Sequence, residues 1–250
     1  MSGHSKWATI KRKKGANDAR RSNEFAKLLR FVEVAAREGG SGEPKSNMTL
    51  ATAIDKARAA SVPSDNIERA VKRGTGGGET ANFEDLTYEI YGPHGVAILV
   101  EVSTDNRNRT ASEIRSLVTK NGGAIATQGA VTRLFHRKGQ IIIPRDAANE
   151  DQLMEVALDA GAEDFKAELQ GYEIVTDPAH FEAVHKQIEA KGIKPDAAVV
   201  TELPTVTVPL PNEQAVAAVN KLIDALEDHD DVKEVYSNAE YPGDTAGAGA

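Results

Sequence analysis

A run of glycines at positions 74 and 76–78 divides the chain into two parts with different hydrophobic patterns. Before it, apolar residues recur at three- and four-residue steps, which is typical of amphipathic helices. After it, short apolar runs alternate with helical patterns, which is typical of α/β structure. No strand precedes the run and no Lys-Ser/Thr pair follows it, so it predicts a linker rather than a phosphate-binding loop.

Three helices are predicted before the linker. Apolar residues at 25–36 form one helix face, which ends at two glycines. Asn47 is placed to cap a second helix, and a third helix follows Pro63, with Gly74 expected to end it. Residues 2–21 have almost no apolar periodicity and are predicted to form a basic arm, partly disordered when free.

The segment 139–203 contains an order of elements that is characteristic of a known fold. It is predicted to run strand 140–143, helix 150–160, strand 162–168, strand 171–176, helix 179–190 and strand 197–203. This βαββαβ order is the split βαβ arrangement of ferredoxin-like folds.

The elements on either side of this segment are incomplete by themselves. Strands at 86–91 and 96–102, a helix at 109–120 and a strand at 131–135 form ββαβ, and a helix at 213–226 and a strand at 232–236 come much later. The late pair cannot bury its apolar faces alone, so we expect it to return and complete the first sheet. The prediction is an α+β fold, with an N-terminal three-helix domain plus two α/β (ferredoxin-like) domains, one inserted in the other. The expected limits are 1–75, 82–136 with 205–238, and 139–203, followed by a disordered tail at 242–250.

Positive charge is concentrated at the N-terminal end of an otherwise acidic chain. Residues 1–75 contain 16 basic and 8 acidic side chains, whereas the remaining residues contain 14 and 30. The net charge of −8 therefore combines +8 in the first part with −16 in the second. A local positive field of this kind favours a polyanionic partner and predicts that the first domain faces nucleic acid.

Composition and motifs argue against several other classes of protein. The chain has no cysteine, which excludes disulfides and thiolate sites and fits a reducing cytoplasm. No apolar run approaches a membrane span, and the polar start at 1–14 does not resemble a secretory signal. Without a nucleophile elbow, zinc signature or P-loop, we expect a cytoplasmic, monomeric, non-enzymatic protein with no catalytic residues, cofactor, metal or small-molecule substrate.

His229 stands among three aspartates, but consecutive side chains point in different directions, so the string predicts a polar turn that ends a helix.

The candidate nucleic-acid-binding residues lie in the arm and at two predicted helix ends. They are His4, Ser5, Lys6, Trp7, Lys11, Arg12, Lys13, Lys14, Arg20, Arg21, Lys72, Arg73, Arg107 and Arg109. Each cation that contacts a phosphate releases condensed counterions, so the seven cations of the arm would make binding steeply salt-dependent.

Several of these residues also have structural interpretations. Trp7 can stack on an exposed base or attach the arm to the three-helix unit. Lys72 and Arg73 complement the dipole at the end of the third helix and can also extend the basic surface. Around Arg107 and Arg109, the asparagines can cap a helix and a neighbouring aspartate can pair with an arginine.

Five strings of residues also resemble a known family, in the same order. They are Gly3 His4 Ser5 Lys6 Trp7; Pro63 with Asp65 Asn66 Ile67 Glu68 Arg69 Ala70; Tyr91 Gly92 Pro93 with Gly95 Val96; Thr104 Asp105 Asn106 Arg107 Asn108 Arg109 Thr110; and Leu226 Glu227 Asp228 His229 Asp230 Asp231 Val232. The chain resembles the YebC/PmpR family from Ser2 to Asn238. Thr9 stands where that family usually has asparagine, and Phe31 with Val32 replaces an acidic–aliphatic pair.

The resemblance implies three domains and a regulator of gene expression. The family is generally described as DNA-binding transcriptional regulators, although its mitochondrial relatives are translational activators and some bacterial members are linked to stalled ribosomes. We therefore expect DNA as the partner, with ribosomal RNA on the ribosome as the alternative. The absence of a clear helix-turn-helix reading helix favours structured RNA on physical grounds. A nuclease- or transferase-like enzyme would need a carboxylate cluster or nucleophile–base pair beside the basic region, and the sequence contains neither.

Overall fold

The computed structural model describes residues 18–76 and 83–242, with side chains from residue 25 onward. Three helices form the first part, and two four-stranded sheets with their helices form the second. The elements are α1 (Asp18–Glu38), α2 (Met48–Ala59), α3 (Ser64–Thr75), β1 (Glu84–Tyr91), β2 (Ala97–Thr104), α4 (Arg107–Lys120), β3 (Ala124–Ile125), β4 (Phe135–Pro144), α5 (Glu150–Asp159), β5 (Asp164–Ala167), β6 (Gly171–Thr176), α6 (Phe181–Ala190), β7 (Ala197–Pro204), β8 (Val208–Pro209), α7 (Glu213–Glu227), β9 (Val232–Ser237) and β10 (Ala239–Glu240).

The three N-terminal helices pack around a core of aliphatic side chains. This core is built from Val32, Ala35, Ala36, Leu50, Ile54, Ala57, Val62, Ile67 and Ala70. The predicted cap is confirmed, because Asn47 Oδ1 accepts a hydrogen bond from Leu50 N at 3.0 Å.

Two predictions about this domain need correction. The first helix begins at Asp18, so Arg20 and Arg21 belong to α1 rather than to the arm. Gly74 does not end the third helix, since α3 continues to Thr75. Gly74 instead lies where α3 crosses α1, and a Cβ there would come 2.3 Å from the Glu33 carbonyl oxygen. Glycine is needed at this position because the two backbones approach so closely.

The first sheet has the strand order β3-β1-β2-β9 and is antiparallel throughout. Helices α4 and α7 pack against one face of it, around Ile98, Val100, Ile114 and Leu222. Strand β9 is distant in sequence from the other strands of this sheet, yet it pairs with the inner strand β2. This pairing was predicted from the incomplete ββαβ unit. We call this unit the split domain.

The second sheet has the order β5-β6-β4-β7, which is the order of a ferredoxin-like βαββαβ unit. Helices α5 and α6 cover one face, around Ile141, Ile143, Ile174 and Val184. We call this unit the inserted domain. The α+β class, the three-helix N-terminal domain and the insertion of one α/β domain in the other are confirmed.

The connection between the two sheets corrects one predicted strand. Residues expected to form a strand at 131–135 instead form a 3₁₀ turn (Thr132–Leu134), and Phe135 opens the long strand β4. Glu89 holds this connection, because its buried carboxylate accepts backbone N–H groups of Gly129, Val131 and Thr132 at 2.6–2.8 Å. Burial opposes ionisation of Glu89, but the three donors outweigh it and hold its pKa below the usual range. The short edge strand of the first sheet, β3, was not predicted.

Across residues 18–76 and 83–242, no helix is both long and apolar enough to cross a bilayer.

Candidate nucleic-acid interface

The residues predicted to bind nucleic acid fall into four places. His4, Ser5, Lys6, Trp7 and Lys11, Arg12, Lys13 and Lys14 lie outside the described residues. Arg20 and Arg21 lie in the first turns of α1, and their side chains are likewise outside the described set. Lys72 and Arg73 lie at the end of α3, and Arg107 and Arg109 at the start of α4.

Lys72 and Arg73 occupy the last turn of α3, where their charges complement the helix dipole. Both are exposed. Arg73 Nε lies 2.8 Å from Glu33 Oε2 on α1, whereas Lys72 has no ion-pair partner within the described ranges. Because the Arg73–Glu33 pair is exposed, it contributes less than about 1 kcal/mol to folding and leaves the arginine able to reach a phosphate.

Arg109 is held by carboxylates, as the structural interpretation of this segment predicts. Asn106 caps α4 by accepting a hydrogen bond from Arg109 N at 3.1 Å. The Arg109 guanidinium lies 2.8 Å from Asp105 and 3.1 Å from Asp231, and these carboxylates raise its pKa. The neighbouring Arg107 is exposed. A role for either arginine in nucleic-acid binding stays a prediction. The exposed Arg107 is better placed for it than Arg109, whose guanidinium is held by two carboxylates.

Asp231 is the buried centre of a charged cluster, and sequence reasoning did not identify it. Its Oδ1 lies 2.7 Å from Arg30 Nη2, and its Oδ2 accepts from Arg109 at 3.1 Å and from Thr110 Oγ1 at 2.5 Å. Burial opposes ionisation, but Thr110, Arg109, Arg30 and Thr104 outweigh it and hold its pKa below the usual range. We call Asp231, Arg30, Arg109 and Thr110 the Asp231 cluster.

The Asp231 cluster joins the helical domain to the split domain, because Arg30 belongs to α1 and Asp231 directly precedes β9. Two further cations cross the same boundary. Lys27 Nζ donates to the carbonyl oxygen of Glu227, the last residue of α7, at 2.6 Å. Lys56 Nζ on α2 lies 2.7 Å from Glu234 Oε1 on β9. Part of the positive charge of the helical domain therefore attaches it to the acidic remainder of the chain after residue 75, which we call the acidic body.

Glu113, His229 and Asp231 bring three possible metal ligands within 4.8 Å of one another. Their ligand atoms are already engaged. His229 Nε2 lies 3.0 Å from Glu113, His229 Nδ1 accepts from Asp231 N, and two arginines neutralise Asp231. Because both ring nitrogens of His229 have hydrogen-bond partners and Asp231 is paired with two arginines, these residues suit a metal cation poorly. His229 N also donates to Leu226 O, consistent with the predicted helix-ending turn.

In the sequence Asp231 lies in an acidic string that also carries the family resemblance, but neither feature distinguishes it from its neighbours in that string. Its partners Arg30 and Arg109 are far away along the chain, so no local spacing reveals them.

Comparison with known families decides where the chain belongs. Residues 83–239 match the sequence model of the second and third domains of TACO1/YebC, and residues 5–77 match that of the TACO1/YebC N-terminal domain. The chain belongs to the TACO1/YebC family. The resemblance seen in the five strings is confirmed.

Relatives within the TACO1/YebC family are similar over nearly the whole length. Proteins named probable transcriptional regulatory protein include one from Rubrobacter xylanophilus, 52% identical over 95% of both chains, and one from Thermobifida fusca, 50% identical over 97% of both. A crystal structure of a conserved hypothetical protein from Aquifex aeolicus is 42% identical and has a TM-score of 0.75, covering 90% of this chain and 92% of that one.

Proposed function

We propose that this TACO1/YebC family member is a non-enzymatic regulator of gene expression that binds nucleic acid through its basic N-terminal domain. The observation that carries the proposal is the separation of charge, with +8 in residues 1–75 and −16 in the remainder. Such a separation orients the molecule toward a polyanion. The names of the relatives, probable transcriptional regulatory protein, support a regulatory role.

The proposal assigns a task to each part of the chain. Residues 1–75 contact phosphates, chiefly through five cations of the arm, Lys6, Lys11, Arg12, Lys13 and Lys14, together with Arg20 and Arg21 at the start of α1. The split domain (82–136 with 205–238) holds the helical domain through the Asp231 cluster, and the inserted domain (139–203) stands apart from the nucleic acid. The protein acts as a cytoplasmic monomer and needs no cofactor or small-molecule substrate.

Two nucleic acids are candidates, DNA in transcription regulation and ribosomal RNA in translation. A DNA-reading helix contacts base edges with residues near its N-terminus. Helix α3 carries Asp65, Glu68 and a single cation, Arg69, in that half, whereas Lys72 and Arg73 lie in the last turn. This distribution favours contacts to the phosphate backbone over reading of a DNA groove, and it supports structured RNA as the second candidate.

Charge reversal in the arm tests the proposal directly. Lys11, Arg12, Lys13 and Lys14 are changed to glutamate together, and affinity is measured by fluorescence anisotropy with a DNA duplex and with a ribosomal RNA fragment. We expect binding of both to be lost, while the helical and strand content by circular dichroism stays unchanged. With seven phosphate contacts to duplex DNA, the wild-type slope of log K against log salt is expected to be about −6.

The matched control reverses four exposed lysines of the acidic body, Lys120, Lys186, Lys191 and Lys221, so that net charge changes equally. We expect this control to retain most of the affinity. Equal losses in the two variants, or an unchanged salt slope in the arm variant, would show that the arm does not make the contacts. Crosslinking in cells with sequencing then separates the candidates, since promoter reads support DNA and ribosomal RNA reads support the ribosome.

A further inference from the structure

A groove opens on the helical domain between α2, α3 and the loop that joins α1 to α2. Its volume is about 340 Å³. Ile54 and Ile67, both 5% exposed, and the half-buried Val71 supply apolar lining. Arg58, Lys72 and Glu68 supply its charged lining. We call this space the α2–α3 groove.

The rim of the groove is held by a buried amide. Asn47 Nδ2 donates to Ala35 O at 2.8 Å and to Ser41 O at 3.2 Å, while Asn47 Oδ1 caps α2. Ser41 Oγ in turn accepts from Glu43 N at 3.1 Å. These bonds fix the loop that brings Gly42 to the groove, so the groove exists before any ligand arrives.

The size of the groove limits its occupant to something small. At about 340 Å³ it lies at the lower end of the range of 300–1,000 Å³ that is typical of small-ligand sites. An apolar lining accommodates a flat aromatic group, and a single nucleobase is such a group.

The charged lining adds the chemistry that a nucleotide requires. The side chain of Arg58 is 67% exposed, and its guanidinium lies 3.7 Å from the carboxylate of Asp55, which is a long ion-pair distance. The guanidinium is therefore able to bind a phosphate. Lys72, on the neighbouring helix, has no ion-pair partner among the described residues. Glu68 is exposed and can accept a hydrogen bond from a base N–H group.

We propose that the α2–α3 groove binds one unpaired nucleotide of a single-stranded segment, with the base on the lining formed by Ile54, Ile67 and Val71 and the flanking phosphates on Arg58 and Lys72. The inference rests on the proposed function and adds to it a defined site. A base inside a duplex cannot enter the groove, because it is stacked and paired. The helical domain therefore distinguishes single-stranded or looped regions from duplex, whereas the arm contacts phosphates of either.

Filling the groove without changing charge tests this assignment. In the full-length protein Val71→Phe occupies the groove, and Ala59→Phe places the same ring at an exposed position of α2 outside it. Affinities are measured for a single-stranded oligonucleotide and for a duplex of equal length, each as RNA and as DNA. We expect Val71→Phe to weaken single-strand binding about tenfold and to leave duplex binding within twofold, because only an unpaired base can be buried against the aliphatic lining of the groove. Ala59→Phe is expected to change neither.

A second pair of variants does not depend on packing. Lys72→Gln removes a cation at the groove, and Arg69→Gln removes one from the exposed surface of the same helix outside it. We expect Lys72→Gln to lose more single-strand affinity than Arg69→Gln and to reduce the salt slope by about 0.7. A preference for RNA over DNA in these measurements would identify the 2′-hydroxyl as a further contact.

The outcomes separate the two proposals. Wild-type protein that binds neither oligonucleotide overturns the proposed function together with the groove. Binding that responds equally to Val71→Phe and Ala59→Phe, or to Lys72→Gln and Arg69→Gln, overturns the groove alone. Equal weakening of single-strand and duplex binding by a folded Val71→Phe variant also overturns it.

Discussion

Two groups of cations in the helical domain differ in what surrounds them. Lys27, Arg30 and Lys56 face the split domain, where each lies within 2.7 Å of an oxygen atom. Arg69 and Lys72 face solvent on α3.

Positive charge in one small domain therefore lies in two different environments. The inward group attaches the domain to an acidic body, and the outward group is available to a polyanion. A sum of charges does not distinguish the two groups. Only the outward group can contact a polyanion without breaking contacts between the helical domain and the split domain.

Replacing the centre of the inward group should have the largest effect. Asp231→Asn removes the charge that Arg30 and Arg109 share, and charged hydrogen bonds contribute about 1.5–3 kcal/mol each when well formed. Since both arginines are partly exposed, we expect the free energy of unfolding to fall by about 2 kcal/mol in urea denaturation. Asp230→Asn, one residue away and exposed, makes the same change in charge and should leave stability within about 0.5 kcal/mol. Similar losses in the two variants would mean that the cluster does not stabilise the domain contact.

The same cluster predicts a dependence on pH. The folded-state pKa of Asp231 lies below its ordinary value, so its ionised form contributes stability above that value, and the contribution is lost as the pH falls through the folded pKa. The difference in unfolding free energy between wild type and Asp231→Asn should therefore be constant between pH 7 and about pH 5 and shrink below about pH 4. Denaturation series at pH 7, 5, 4 and 3 measure it. A difference that grows on acidification would contradict the assignment.

Arginines from the two groups should differ in their effect on stability. Arg30→Gln leaves Asp231 with less compensation in a buried position and is expected to lower the unfolding free energy by about 1–1.5 kcal/mol. Arg69→Gln changes an exposed side chain and should stay within about 0.5 kcal/mol. Thermal denaturation of the two variants in one buffer gives the comparison, and equal melting temperatures would remove the distinction between the groups.

Lysines from the two groups should differ in binding rather than in stability. The Lys56–Glu234 pair is nearly half exposed at the lysine, so Lys56→Gln costs at most about 0.5 kcal/mol of stability, and so does Lys72→Gln. Only Lys72→Gln is expected to weaken nucleic-acid binding, by about threefold at low salt, because Lys72 is the lysine of these two that the proposal places on a phosphate. Anisotropy titrations measure the ratio, and an equal loss for Lys56→Gln would show that the domain contact opens on binding.

Much of the architecture follows from local patterns in the sequence. The periodicity of 25–36 predicts α1, the alternating elements of 139–203 predict the inserted domain, and Asn47 and Asn106 are placed to cap α2 and α4. These predictions succeed because a helix face, a strand and a cap depend on residues within a few positions of one another. The resemblance to the YebC/PmpR family likewise rests on short strings of residues that are neighbours in the sequence.

Other features were decided by contacts between distant parts of the chain. The close crossing of α1 and α3 gives Gly74 its place inside a helix, and the bonds of Glu89 turn 129–132 into a connection rather than a strand. In each case a residue's role depends on a backbone group that local spacing does not reveal.

Charge shows the same division. The sequence by itself determined that the first domain is basic and the remainder acidic, because a sum of charges needs no coordinates. Only the tertiary structure decided that Arg30 meets Asp231 while Lys72 borders the α2–α3 groove. The physical reason is that Coulombic and hydrogen-bond interactions depend on distance and burial, and both are set by how the domains pack together.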